Sequence, residues 1–163
     1  MYHDWLRANA PGYAVLPVAD QEVLAGFLFL WSLFEAKTLG EQGNPDAICA
    51  AAERWRDRAP LDAEGMTRAL RYFRDRYFAE GGPTAHFHDL RFRSGGHRDL
   101  VEAVLAGARD DPVEQAAAVL LIVYRLRNNL FHGVKWQYGL AGQRDNFEHA
   151  NHALMAALTV NGL

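Results

Sequence analysis

Cysteine is nearly absent: Cys49 is the single one in 163 residues. That excludes an internal disulfide and a cysteine-built zinc site. A reducing, cytoplasmic setting is the expectation that follows. A charge excess is missing as well. Seventeen Lys and Arg stand against twenty Asp and Glu, a formal net charge of −3. Any polyanion must therefore be met by a local basic patch, not by the overall field. Apolar runs are short. The greasiest early stretch, "VLAGFLFLWSLFEA" from Val23 to Ala36, has Glu22 before it and Glu35 and Lys37 at its end. It is shorter than the roughly 20 residues of a bilayer span, so it reads as a buried helix and no membrane partner is expected. The first residues, "MYHDWLRANAPGYA", hold no long apolar core of a signal peptide. There is no GxxxxGK[ST] or GxGxxG loop, so nothing marks a nucleotide-hydrolysing or dinucleotide site. No cofactor is expected, and no repeat or low-complexity tract is visible.

What is present is helical punctuation. Half of the residues are hydrophobic, enough for one globular domain over 1–163 with residues 1–19 as an N-terminal extension. Asp20 is placed to cap a first helix ending near Leu39, with Gly40 after it. Asn44-Pro45 pairs a cap with a proline at the first helical position, and Pro60 closes that second helix. A third opens at Asp62 and runs to about Glu80, with Met66, Leu70, Phe73 and Tyr77 at helical spacing. Gly81-Gly82-Pro83 breaks it. Residues 84–96 read either as an extended piece or as a helical turn, and "HRDLVEAVLAG" as a short helix. Asp111-Pro112 starts a long helix to His132, with Gly133 suited to end it. Asp145 opens the last, to about Val160. No strand pair is expected, so the class is all-α, a bundle of about five to six helices.

The long helix ends on "RLRNNLFHG", Arg125 to Gly133. Val119, Val123, Leu126 and Leu130 make its core stripe, and Tyr124, Asn128 and His132 recur every four residues on the opposite side. Leu121 joins Tyr124 on that second side, which predicts burial against a partner, in the simplest case a second copy across a two-fold axis. Arg127 and His132 are five apart, about 140° and 7.5 Å on a straight helix. Arginine offers a planar cationic fork for phosphate, histidine moves protons near neutrality, and asparagine can orient either. Without a carboxylate cluster or a cysteine nearby, this set suits metal-free RNA cleavage, in which the 2′-OH attacks and cationic donors stabilise the phosphorane. The alternative is a histidine satisfied inside the structure.

"YRLRNNLFHGVK" resembles the R-x4–6-H motif of HEPN domains, in which a polar residue, often asparagine, follows the arginine; here these are Arg127, Asn128 and His132. The preceding apolar helix and the following Gly133 and Lys135 fit the same pattern, over roughly Leu120 to Lys135. "WSLFEA" is similar to the acidic first-helix position that borders the active site in many HEPN proteins, which assigns Glu35. The resemblance implies an HEPN-like fold and a homodimeric, metal-independent endoribonuclease. It further implies a toxin or a phage-defence effector, with an antitoxin or defence-system protein as partner. His132 would act as base or acid, Arg127 would hold phosphate, Asn128 would orient them and Glu35 would buttress. Val134 stands where many toxins of the nucleotidyltransferase pairing carry tyrosine. The rival reading is a catalytically silent helical module that binds a partner protein or nucleotide.

Other clusters carry less. Glu35, on a largely buried helix, needs a partner: Arg127, His132 or a helix-end salt bridge. "LRFRSGGHR" groups Arg91, Arg93 and Arg98, and with Lys135 and Trp136 these could hold an RNA backbone and stack a base. Glu148, His149 and His152 read as a solvated helix face, and His86 and His88 as surface residues. None of these is at zinc-like spacing with a cysteine or acidic cluster.

Overall fold

The structure is a computed structural model, and it describes residues 1–58, 64–131 and 142–163. Two short helices, α1 (Tyr2–Asn9) and α2 (Pro11–Ala14), precede α3 (Val18–Thr38) and α4 (Pro45–Glu53). A 3-10 turn at Arg56–Arg58 follows, then α5 (Glu64–Tyr77), β1 (Phe78–Ala79) and β2 (Gly82–Pro83). Next come α6 (Ala85–His88), α7 (Arg98–Leu105), α8 (Pro112–Phe131) and α9 (Arg144–Val160). The class is all-α. None of the described helices is long and apolar enough to cross a membrane.

Local signals set several boundaries. The Asn44 side chain accepts from the Ala47 N–H at 2.9 Å, with Pro45 behind it. Asp111 Oδ1 accepts from the N–H groups of Val113 and Glu114 at 2.7 and 3.2 Å. All three bonds satisfy amides that a helix start leaves open. Other expectations shift. The first long helix begins at Val18, not after Asp20, because Pro17 serves as its N-cap residue. The second ends at Glu53, before the 3-10 turn. Asp62, expected as a cap, Pro60, expected as a stop, and Gly133, expected as a terminator, lie outside the described residues. The expected absence of strands is corrected at one point: Phe78–Ala79 pairs antiparallel with Gly82–Pro83. Glu80 and Gly81 at the tip both have positive φ, 51° and 80°, the backbone that a two-residue hairpin requires.

α8 is the axis of the core. It packs against α4, α5, α7 and α9, and α9 in turn packs against α3 and α5. From Ala116 to Val123 every residue of α8 is buried. This corrects the expectation that Leu121 faces a partner: Leu121 is 0% exposed and enclosed by its own chain. The physical reason is that α8 sits between helices, so both of its apolar sides are used internally. Tyr124 is half-buried, with its ring 6.0 Å from that of Trp31 on α3.

Candidate functional site at the end of the central helix

The last turn of α8 divides its polar residues into two sets. Arg125 is only 7% exposed, and its Nε donates to the Leu90 carbonyl at 2.9 Å. Burial, helped by the nearby positive charge of Arg93, holds its guanidinium below the ordinary range, although Tyr124 acts the other way. Asn129 Nδ2 donates to the Asp89 carbonyl at 3.0 Å. Both bonds end on carbonyls just past α6, where backbone acceptors are left open. Arg125 and Asn129 therefore staple the end of α8 to the 89–93 segment.

Arg127 and Asn128 form the second set. Arg127 Nη1 donates to Asn128 Oδ1 at 3.0 Å, and Asn128 is itself buried. The guanidinium lies 5.7 Å from the ring of Trp31 and 5.0 Å from that of Phe131. Both distances are in the range where an aromatic face attracts a cation. Arg127 is half-buried, makes no ion pair among the described residues, and its buried Nε has no acceptor among them. A cation placed this way is oriented by its neighbours yet not neutralised by them.

Glu35 is half-buried one turn beyond Trp31. Its carboxylate lies against Gly43, so closely that a Cβ added there would collide with Oε1. Of the three partners considered for Glu35, Arg127 makes no ion pair with it and His132 lies outside the described residues; what Glu35 and Arg127 share is Trp31. Trp31 packs under Arg127 and is the nearest other side chain to the Gly43 position. Its indole N–H is buried without an acceptor among the described residues. Sequence reasoning missed Trp31 as a site residue. The available signal is a tryptophan, which needs an N–H partner when buried, one turn before the only carboxylate of the apolar stretch Val23–Ala36. His132, Lys135 and Trp136 lie outside the described residues.

The basic patch is partly brought to this place. Arg91 and Arg93 are exposed and make no ion pair among the described residues. They follow Asp89 and Leu90, the two residues to which α8 is stapled. Arg91 has a φ of 53°, a left-handed backbone uncommon outside glycine. Arg98 is committed elsewhere: its Nε donates to Glu102, and its guanidinium lies 5.5 Å from the ring of Phe87. Beside the staple is a small polar cavity of about 30 Å³, lined by Arg76, His86, Asp89, Asn129 and Asn146 among others, with room for about one water.

The histidines of α9 are not on a freely solvated face. His149 stacks on Tyr72 of α5, with centroids 4.1 Å apart, and lies edge-on to His152. Both are half-buried, because α9 is covered by α5 as well as by α3. Burial first, then the charges of Arg68 and His152, hold the His149 imidazole below its usual range. Among the described residues no three His, Cys, Asp or Glu gather as metal ligands would. His86 Nδ1 faces Asp89 at 3.9 Å, and both residues are exposed. The chain matches no family model, no curated protein and no solved structure.

Proposed function

We propose that this protein is a metal-independent endoribonuclease whose reacting groups gather at the end of α8. The observation that carries the reading is Arg127, whose guanidinium is held between Trp31 and Phe131, braced by Asn128 and without a carboxylate partner among the described residues. A phosphate is the group such a fork fits, by charge and by planar geometry. Arg91 and Arg93 add positive charge along the path of an RNA backbone, and Lys135 and Trp136 complete the proposed RNA contacts.

In this mechanism the ribose 2′-OH attacks the adjacent phosphorus. His132, the residue after Phe131, takes the 2′-OH proton as general base. Arg127 stabilises the charge that builds on the phosphorane oxygens. The 5′-oxygen leaves with a proton, and the product carries a 2′,3′-cyclic phosphate. Asn128 positions Arg127, and Glu35 acts at one remove through Trp31. The role is that of a cytoplasmic toxin or defence effector acting as a homodimer, with an antitoxin or defence-system protein as a further partner. The test is incubation of the purified protein with total RNA and tRNA, with and without EDTA, beside His132→Ala. Cleavage that persists in EDTA, ends in cyclic phosphate and is lost in His132→Ala supports the mechanism. Cleavage that disappears in EDTA and returns with magnesium overturns it.

A further inference from the structure

A large apolar side chain stands exposed in the middle of α3. Phe29 is 78% exposed, and Leu28 and Leu33 are 39% and 42% exposed. At about 100° per residue, Val18, Glu22, Ala25, Phe29, Ser32, Leu33 and Ala36 fall on one narrow face, and every one of them is exposed. The opposite face of α3, with Phe27, Trp31, Phe34 and Thr38, is buried. A helix apolar on both sides has a second surface to cover. The stripe runs on through Ala25 and Leu28 into a groove of about 440 Å³ whose far walls include Tyr2, Leu6, Leu130 and Phe131. A continuous patch of this kind marks an interaction surface.

The charges at its ends select the occupant. Glu22 lies at the start of the stripe and Lys37 beside its end, both exposed and neither ion-paired among the described residues. They are separated by about 22 Å of helix, with only apolar or small side chains exposed on that face between them. Such a face is complementary to itself in one orientation. A parallel copy would set like charges together, whereas an antiparallel copy sets each carboxylate against an ammonium. The two-fold axis then passes close to Phe29.

We infer that a second copy of this chain docks antiparallel on the exposed face of α3, with Phe29 packed on Phe29 of the second copy and Glu22 opposite its Lys37. The contact is isologous, as a closed dimer requires. The inference deepens the proposed function by giving the second copy a place, and rests on that reading only for its catalytic consequence. Phe131, which borders the groove, also touches Arg127, and Trp31 lies on α3 two residues from Phe29. The two Arg127 side chains therefore lie level with the axis, one on each side of it.

The experiment reads mass, not cleavage, so its failure and that of the ribonuclease reading are distinguishable. Sedimentation equilibrium of the full chain at tens of micromolar should give a dimer. Phe29→Glu, which puts two carboxylates at the axis and touches no core residue, should give a folded monomer by circular dichroism. Glu22→Lys and Lys37→Glu should each weaken association by roughly fivefold, as two exposed pairs become repulsive. The double swap Glu22→Lys with Lys37→Glu should restore it. A wild-type monomer, or a dimer unchanged by Phe29→Glu, overturns the proposal. Single reversals that leave the dimer as tight as wild type would show a parallel arrangement, in which each charge faces its own copy, and overturn it as well.

Discussion

Two arginines two residues apart on one helix should behave oppositely when replaced. Arg125 is buried and bonded to the Leu90 carbonyl, whereas Arg127 lies between two aromatic rings with no carboxylate partner among the described residues. Arg125→Ala removes a hydrogen bond to a charged donor, about 1.5–3 kcal/mol, and strips the packing of its aliphatic stem. Relief of a desolvated charge offsets part of this. A net loss of about 2–3 kcal/mol is expected, a fall in Tm of roughly 5–10 °C for a chain of this size. Arg127→Lys keeps a charge near Trp31 and most of the stem, but loses the fork and the bond to Asn128. Its stability cost should be about 1 kcal/mol or less, the scale of one half-exposed cation–π contact. Its cost to RNA cleavage should be about 10²–10³-fold, the scale of one lost donor to a developing oxyanion. Thermal melts and single-turnover cleavage well below the melting transition measure the two effects separately. If Arg127→Lys cut RNA normally while melting far lower, Arg127 would be a structural residue and the assignment of the site would be wrong. Folded Arg125→Ala that lost cleavage as completely as Arg127→Lys would refute the division of labour between them.

His149 is held below its ordinary value near 6.5 mainly by burial. The unfolded chain therefore binds its proton first, and stability should fall as the pH drops from about 6.5 toward the depressed folded value. His149→Phe, which keeps a ring against Tyr72, should flatten that part of a Tm-against-pH curve; an unchanged slope would assign it to other groups. Gly65→Ala should lower stability by about 1–3 kcal/mol, because its Cβ would meet the His152 carbonyl oxygen at 2.7 Å where α5 crosses α9; a Tm equal to wild type would mean the crossing yields easily. Gly43→Ala meets the carboxylate end of Glu35 and, at an ordinary contact distance of 3.4 Å, the ring of Trp31, so it should fold normally while displacing that carboxylate. A drop in cleavage without a drop in Tm would support a positioning role for Glu35, and full activity would remove it from the site.

The parts of the fold legible in the sequence are those governed by local chemistry. Asn44-Pro45 and Asp111-Pro112 start helices because their side chains answer open amides within three residues. The 84–96 segment was not legible, because its short helix and left-handed turns at Arg91 and His97 are held from a distance. Arg125 and Asn129, 35 and 40 residues on in sequence, fasten it to α8. Neither arginine nor asparagine announces that it will bond to a remote carbonyl. The same blindness explains why Leu121 reads as facing a partner when it is enclosed. Two apolar helices, α3 and α8, each have more hydrophobic surface than one packing face needs, and periodicity cannot say which is enclosed. The structure places α8 among four helices and leaves α3 covered on one side only.

That placement bears on why the polar cluster sits where it does. α8 is closed off along its middle, from Ala116 to Val123, and opens again in its last turn, where Phe131 reaches 59% exposure. A guanidinium in that middle stretch would be buried and, like Arg125, would have to bond to the chain's own carbonyls. One turn later it would lie beyond Trp31 and lose the ring that orients it. Arg127 occupies a stretch of α8 where a cation is both held by neighbours and left reachable. A phosphate-binding group requires that combination, since a fully solvated arginine is poorly oriented and a fully satisfied one has no donors to give.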